Sequence, residues 1–196
     1  MSIFLAMCLF SLSMSISPGP VNIITFTTGI NHGVNKALPF VSGATTGFTL
    51  LLLMIGLGIG NIFSEHPAFQ ATLAYTGTGY IVYLGYKIAA TKSKFESKAM
   101  DLPGFWHGFL LQWLNPKAWA ACLAGVSAFK LSDSTTMLML FVGLYFVICY
   151  LSIASWAVLG KTIESNLKHH IRLLNGFMGS ALILVALYLL YIQLYF

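Results

Sequence analysis

The chain has 196 residues, of which ten are Lys or Arg and five are Asp or Glu, so 8% of the sequence is charged, against about 25% in ordinary soluble domains. With 58% apolar residues and a mean hydropathy of +0.83, this composition excludes a soluble globular domain and a disordered chain. The net charge of +5 does not indicate a nucleic-acid partner, because positive charge beside membrane spans is mainly a topology signal.

The few charges divide the chain into apolar windows, and about 20 apolar residues are enough for a helix to cross a ~30 Å hydrocarbon core. The windows predict six transmembrane helices, in chain order at about 3–28, 38–62, 69–89, 105–129, 135–159 and 174–194. The sequence lacks the alternation of polar and apolar residues that is typical of membrane strands. It therefore predicts an all-α integral membrane protein with a single transmembrane domain over residues 1–196.

Basic residues fall mainly in the loops between spans one and two, three and four, and five and six. Lys130 alone is placed on the opposite side, whereas the basic loops and their helix ends hold Lys36, Lys87, Lys92, Lys94, Lys98, Lys161, Lys168 and Arg172. Membrane proteins keep their Lys- and Arg-rich loops in the cytoplasm. We therefore expect these three loops to be cytoplasmic and both termini to be periplasmic or extracellular.

Two predicted spans contain proline near their middle. The first carries Pro18 and Pro20, and the fourth carries Pro116. Proline inside a helix removes a backbone hydrogen bond, and Ser-Pro or Asn-Pro is also the pattern of an N-cap followed by the first helical residue. We therefore predict that helices 1 and 4 are broken, with a second half-helix starting near Pro18 and near Pro116.

The two breaks are 98 residues apart, and the same offset carries the apolar window 37–64 onto 135–162. This predicts two inverted three-helix repeats, about 1–98 and 99–196, because halves with an odd number of spans enter the membrane in opposite orientations. Inverted repeats with paired broken helices are typical of secondary transporters, whose site lies between the halves at mid-membrane. Proline kinks without a direct role are the alternative interpretation.

Lys117 is the only charge deep within a predicted span, and such a residue is costly in a membrane unless it has a function. In the first turn of a half-helix it adds to the positive end of the helix dipole, so the break suits a carboxylate. The alternatives are that Lys117 snorkels or binds backbone carbonyls freed at the break. The absence of deep Asp or Glu favours a zwitterionic over a dibasic amino acid. The residues expected to bind substrate are Pro18, Gly19, Pro20, Asn22, Gln112, Asn115, Pro116 and Lys117.

The sequence gives no sign of a metal site, a cofactor or a catalytic centre. A metal site needs clustered Cys and His, and a membrane-embedded enzyme needs His, Asp, Glu or Cys together at one depth. Neither cluster occurs. Gly43 and Gly47 form a GxxxG pattern, which lets helices approach each other closely. We therefore expect helix packing from these glycines and no enzymatic activity.

Two segments resemble the LysE/RhtB translocator family. Ser17-Pro18-Gly19-Pro20-Val21-Asn22 with the glycines that follow is similar to the family's amino-terminal signature, and residues 105–118 are similar to its fourth-span motif. The residues at 105–112 are similar to the branch that exports cysteine and O-acetylserine. The glycines that follow the first segment are Gly29, Gly33, Gly43 and Gly47, of which we assign the last three to helix packing.

The resemblance implies an exporter of amino acids or related metabolites in the inner membrane, driven by the proton motive force and alternating its access across the membrane. Its partners are then a small-molecule substrate and membrane lipid, not nucleic acid, and a homo-oligomer is compatible with this function. Some relatives have Asp where this chain has Asn22, so a coupling model with a carboxylate there does not fit. The alternatives are a passive small-solute channel or a cargo-free structural or assembly protein.

Overall fold

The structure is a computed structural model that describes residues 2–59, 65–91, 102–167 and 170–195. These residues form helices and connecting turns, without strands, so the expected all-α class is confirmed for the described ranges. A π-helical turn at Ile55–Ile59 follows the helix Val34–Met54, and a 3₁₀ turn at Leu131–Asp133 precedes the helix Thr135–Leu167. The helices are α1 (Ile3–Ile16), α2 (Pro20–His32), α3 (Val34–Met54), α4 (Pro67–Ala90), α5 (Phe105–Trp113), α6 (Pro116–Ala128), α7 (Thr135–Leu167) and α8 (Ile171–Tyr195).

Fewer helices than the six predicted spans are long and apolar enough to cross a membrane by themselves. Within the described ranges these are Val34–Gly58, Thr135–Glu164 and Arg172–Ile192, and the α1–α2 pair, bent by 62°, makes a fourth if it counts as one span. The helix α4 and the α5–α6 pair occupy the predicted third and fourth spans without meeting this criterion. One reason is that α5 and α6 have only 9 and 13 residues. The six-span inverted arrangement therefore stays a prediction.

Both predicted breaks are present. In the first, Pro20 begins α2, and the preceding Gly19 is fully extended at φ −170° and ψ 178°. In the second, Asn115 is the N-cap of α6 and Pro116 its first residue. Proline suits this first position because the missing N–H would have no partner there and its fixed φ is already helical.

The unbroken helices α3 and α7 form the centre of the molecule. The helix α7 packs against α1, α2 and α3, whereas α3 packs against α5 as well as α7. The helices α4 and α8 pack mainly against each other at the side. The core side chains with the least exposure include Phe40, Phe141 and Tyr145 of this central pair. The arrangement brings the two breaks together beside α3 and α7.

The three glycines assigned to packing differ from one another. A Cβ at Gly43 would collide with the Phe105 carbonyl, and one at Gly47 would crowd Phe109, so α5 lies directly against the backbone of α3. Gly33 does not serve packing, because nothing lies within 4 Å of the position of its Cβ. It is instead the junction between α2 and α3, at φ +86°, a left-handed conformation that glycine adopts without steric cost.

The helix α7 continues beyond its predicted end at 159, as far as Leu167. The charge on Lys161 closed the apolar window in the sequence, but Lys161 Nζ donates a hydrogen bond of 2.6 Å to Glu164 Oε2. Glu164 is buried and lies one turn further along the same helix. An ion pair at this spacing lets the helix continue past the apolar window.

Candidate transport site at the two helix breaks

The first break frees backbone carbonyls, and side chains satisfy them. Pro18 and Pro20 have no N–H to donate to the carbonyls four residues earlier, those of Met14 and Ile16. The Ser17 hydroxyl donates to the Met14 carbonyl at 3.0 Å, and the indole N–H of Trp156 donates to the Ile16 carbonyl at 3.2 Å. Donors from the chain itself thus replace the helical bonds that proline removes.

Asn22 supplies two further donors to the same break. Its Nδ2 donates to the carbonyls of Ser15 and Ser17, both at 2.8 Å. The Asn22 side chain is buried, with the residue only 4% exposed, so these two carbonyls have a partner away from water. A buried carbonyl without a donor costs about 1–3 kcal/mol, which makes the amide at this position a structural part of the break.

Lys117 crosses from the second break to the first. Its Nζ donates to Ser17 Oγ at 2.8 Å, to the Ser17 carbonyl at 3.1 Å and to the Pro18 carbonyl at 3.3 Å. The side chain therefore binds backbone carbonyls freed at a break, as one of the sequence alternatives stated, but those of the opposite half of the chain. An ammonium group has three donors, and all three bonds go to this segment.

Gly19 provides the space for the lysine. A Cβ at Gly19 would lie 3.2 Å from Lys117 Nζ and 3.4 Å from its Cδ. The backbone there is extended and open to any residue, so the requirement for glycine is one of space and not of conformation.

The second break is capped by residues from its own neighbourhood. Asn115 Oδ1 accepts from the backbone N–H of Lys117 at 3.2 Å, which is the N-cap bond of a helix start. The indole N–H of Trp119 donates to the Trp113 carbonyl at 2.8 Å. This break therefore needs no hydrogen bond from the other half for these two groups.

A cavity of about 410 Å³ lies between the two breaks. Pro18 and Pro116 do not line it: Pro18 contributes its carbonyl to Lys117, and Pro116 begins α6. Lys117 is the only charged residue among the described residues that line the cavity, so its electrostatics favour an anion. The other predicted site residues lining it with Lys117 are Gly19, Pro20, Asn22, Gln112 and Asn115.

The sequence did not predict the contribution of the unbroken helices. Tyr145 and Cys149, one turn apart on α7, and Phe48 of α3 line the same cavity, as does Ser15 of α1. The rings of Phe48 and Tyr145 stack at 4.5 Å between centroids. The available signal was the polar atoms of Tyr145 and Cys149 within the predicted fifth span. Among the described residues, no group of three His, Cys, Asp or Glu side chains is placed to hold a metal ion.

The sequence model of the LysE type translocator family matches residues 12–193. The chain belongs to this family. It is 25% identical over 190 residues to the cysteine/O-acetylserine efflux proteins of Salmonella choleraesuis (strain SC-B67) and Salmonella typhimurium (strain LT2), covering 93% of this chain and 94% of each relative. The protein of the same name from Escherichia coli O139:H28 has the same identity and coverage. No solved structure matches the chain significantly.

Membership confirms the predicted resemblance and makes this LysE-family protein a membrane translocator and not an enzyme. The family model spans both helix breaks, so the cavity between them is the candidate transport site. Six of the eight predicted binding residues line it.

Proposed function

We propose that this LysE-family protein exports small polar amino acids, such as cysteine and O-acetylserine, across the inner membrane by proton-driven secondary transport. The names of the relatives supply the substrate class. One observation supports the location of the site: the two helix breaks meet at a single cavity, and Lys117 is the charge that joins them.

The substrate carboxylate binds Lys117. It competes with the Ser17 hydroxyl and the Pro18 carbonyl, which hold the ammonium group at 2.8 and 3.3 Å. A carboxylate is the stronger acceptor, because its full negative charge adds a Coulomb attraction to the ammonium group that a neutral hydroxyl or carbonyl lacks. Val21 and Asn22, in the first turn of α2, line the same cavity, and this turn adds the positive end of a helix dipole.

Small polar side chains suit the rest of the cavity. The Ser15 hydroxyl, the Cys149 thiol and the Tyr145 ring form its wall on the side of α1 and α7. The stacked rings of Phe48 and Tyr145 add an aromatic part to the lining. A short side chain that ends in a thiol or an ester fits this mixture better than a cationic one, since the cavity already holds a lysine.

Binding at Lys117 is coupled to movement of the two halves. Lys117 of α6 ties the second half of the chain to the break between α1 and α2. A carboxylate that takes over these donors weakens this tie, so loading of the site favours a change in the relative position of the halves. A ligand shifts a conformational equilibrium only through such differential contacts.

Alternating access has a second basis in the packing of the two ends. At the end with the predicted cytoplasmic loops, Gly29 lies against the backbone of Ala157 and Gly160 against that of Phe26. At the opposite end, Gly56 and Gly125 meet side chains only, and a cleft of about 1210 Å³ opens beside Lys130 and Asp133. In this proposal the close backbone contacts at the first end and the looser side-chain contacts at the opposite end are the two places that open and close in turn.

Transport by the purified full-length chain in liposomes is the direct test. Vesicles loaded with radiolabelled L-cysteine under reducing conditions, or with O-acetyl-L-serine, should lose label faster than protein-free vesicles. In a separate measurement, vesicles that start without label should accumulate it uphill when a proton gradient is imposed. A protonophore should abolish the uphill phase and leave downhill exchange.

Two results would contradict the proposal. Rapid downhill flux without any uphill phase would identify a passive channel. Protein that is folded in the vesicles but moves none of the amino acids tested would support a cargo-free structural role.

A further inference from the structure

A second cavity, which we call the vestibule, lies at the basic-loop end of α2. It has a volume of about 610 Å³ and shares no lining residue with the cavity between the breaks. Asn22 and Asn31 mark the two cavities on the same helix, and nine residues at 1.5 Å each separate them by about 14 Å. The polar residues that line the vestibule are Thr27, Thr28, Asn31, His32, Tyr83, Lys87, Thr91 and His107.

A chain of hydrogen bonds sets the orientation of the Asn31 side chain. The Thr91 carbonyl can only accept, so the Asn175 group that faces it at 3.3 Å is the donor Nδ2. Asn175 therefore turns its Oδ1 toward Asn31, which donates from Nδ2 at 3.0 Å. Both residues are buried, at 5% exposed for Asn31 and 1% for Asn175. Rotating either amide by 180° would place two donors or two acceptors opposite each other.

This orientation leaves Asn31 Oδ1 as a buried acceptor without a hydrogen-bond partner. Such groups are rare in folded proteins, and each one calls for an explanation. Asn31 lines both the vestibule and a neighbouring cavity, so a donor in the vestibule would approach this residue. The missing partner is a donor and not an acceptor.

Lys87 adds a positive charge to the vestibule, which can bind an anionic group. It lines the same cavity, and its ammonium group lies 5.5 Å from the centre of the Tyr83 ring. None of the described residues that line the vestibule is Asp or Glu, so their side chains do not balance this charge. The cavity thus combines a cation with an unsatisfied acceptor, and an α-amino acid zwitterion presents a carboxylate and an ammonium group to match them.

We propose that the vestibule is a second amino-acid binding site, at which Lys87 binds the substrate carboxylate and Asn31 Oδ1 accepts from its ammonium group. The inference rests on the proposed function, because it takes the same substrate class. The vestibule holds the amino acid at the basic-loop end, and α2 carries both sites, so substrate passes along one helix from Asn31 to Asn22.

Binding stoichiometry tests this site. Equilibrium dialysis of the purified full-length chain in nanodiscs, with radiolabelled L-cysteine under reducing conditions, should give two equivalents for the wild type. Asn31→Leu and Lys87→Met should each weaken one equivalent at least about tenfold, as expected for the loss of a charge-assisted hydrogen bond. Lys117→Met should remove the other equivalent.

Two matched variants separate binding from folding. Asn31→Asp loses the same hydrogen bond to Asn175 as Asn31→Leu but keeps an acceptor in the vestibule, so it should retain two equivalents. Lys36→Met removes a positive charge from the same end of the molecule. Lys36 does not line the vestibule but a neighbouring cavity that shares Asn31 and His32 with it, so this variant should also retain two.

The outcomes distinguish the two sites. One wild-type equivalent that is lost in Lys117→Met and kept in Asn31→Leu overturns the vestibule and leaves the site between the breaks. One equivalent that depends on Asn31 and not on Lys117 supports the vestibule and contradicts the proposed transport site. Equal loss in Asn31→Leu and Asn31→Asp, or no binding to the wild type, overturns the vestibule.

Discussion

Both helix breaks start a half-helix at a proline, but they are stabilised in different ways. At the first break, the five consecutive carbonyls from Met14 to Pro18 accept hydrogen bonds from side chains, and two of the donors, Trp156 and Lys117, come from the other half of the chain. At the second, Asn115 and Trp119 cap groups only two and six residues away. The first break therefore depends on tertiary structure, whereas the second is largely self-sufficient.

This difference indicates which break senses the position of the halves. A local cap remains in place when the halves move, because donor and acceptor belong to the same short segment. The bonds of Lys117 and Trp156 to the first break join residues 100 and 140 positions apart, so relative movement of the halves strains or exchanges them. In a carrier that alternates its access, the first break is the one that must rearrange.

The largest effect is expected for Lys117→Met. This change removes three hydrogen bonds to the first break and the single charge of the cavity, while it keeps a side chain of similar length. Export should fall at least about 100-fold, since the loss of a charged binding partner costs about 3 kcal/mol or more. Efflux from loaded vesicles measures it, with membrane content checked by immunoblot. Export at the wild-type rate would remove Lys117 from the mechanism.

A smaller effect, on stability, is expected for Asn22→Leu. The apolar side chain leaves the Ser15 and Ser17 carbonyls without their donor, which should lower the free energy of unfolding by about 2 kcal/mol or more. Thermal unfolding in detergent measures the change. Asn22→Asp is the matched variant: an ionised carboxylate only accepts, so it should not restore stability. Recovery in Asn22→Asp would contradict the assigned hydrogen bonds.

The smallest effect is expected for Asn115→Ala at the second break. Loss of the N-cap bond to the Lys117 N–H should cost about 1 kcal/mol of stability, less than at Asn22 because a single local bond is involved. Asn115→Ser, another good cap, should restore most of the loss in the same unfolding measurement. If Asn115→Ala destabilises the protein more than Asn22→Leu, the second break is not the self-sufficient one.

The helix breaks were predictable because their cause is local, whereas the full lining of the cavity between them was not. Proline and its capping residues act on their own turn of the chain, so the positions of both breaks were predictable. Gly33 was misassigned because φ, which decides its role, depends on how α2 meets α3. The lining by Tyr145 and Cys149 was missed because an apolar window does not reveal which of its faces meets the breaks.

The sequence by itself determined the apolar helical class, the two breaks and membership of the LysE family, since composition, proline chemistry and motifs need no knowledge of the fold. Only the tertiary structure decided where Lys117 donates, which carbonyl Trp156 meets and how Asn31 is oriented by Asn175. These contacts join residues 100 to 144 positions apart. Their geometry follows from how the helices pack, and no local pattern in the chain specifies it.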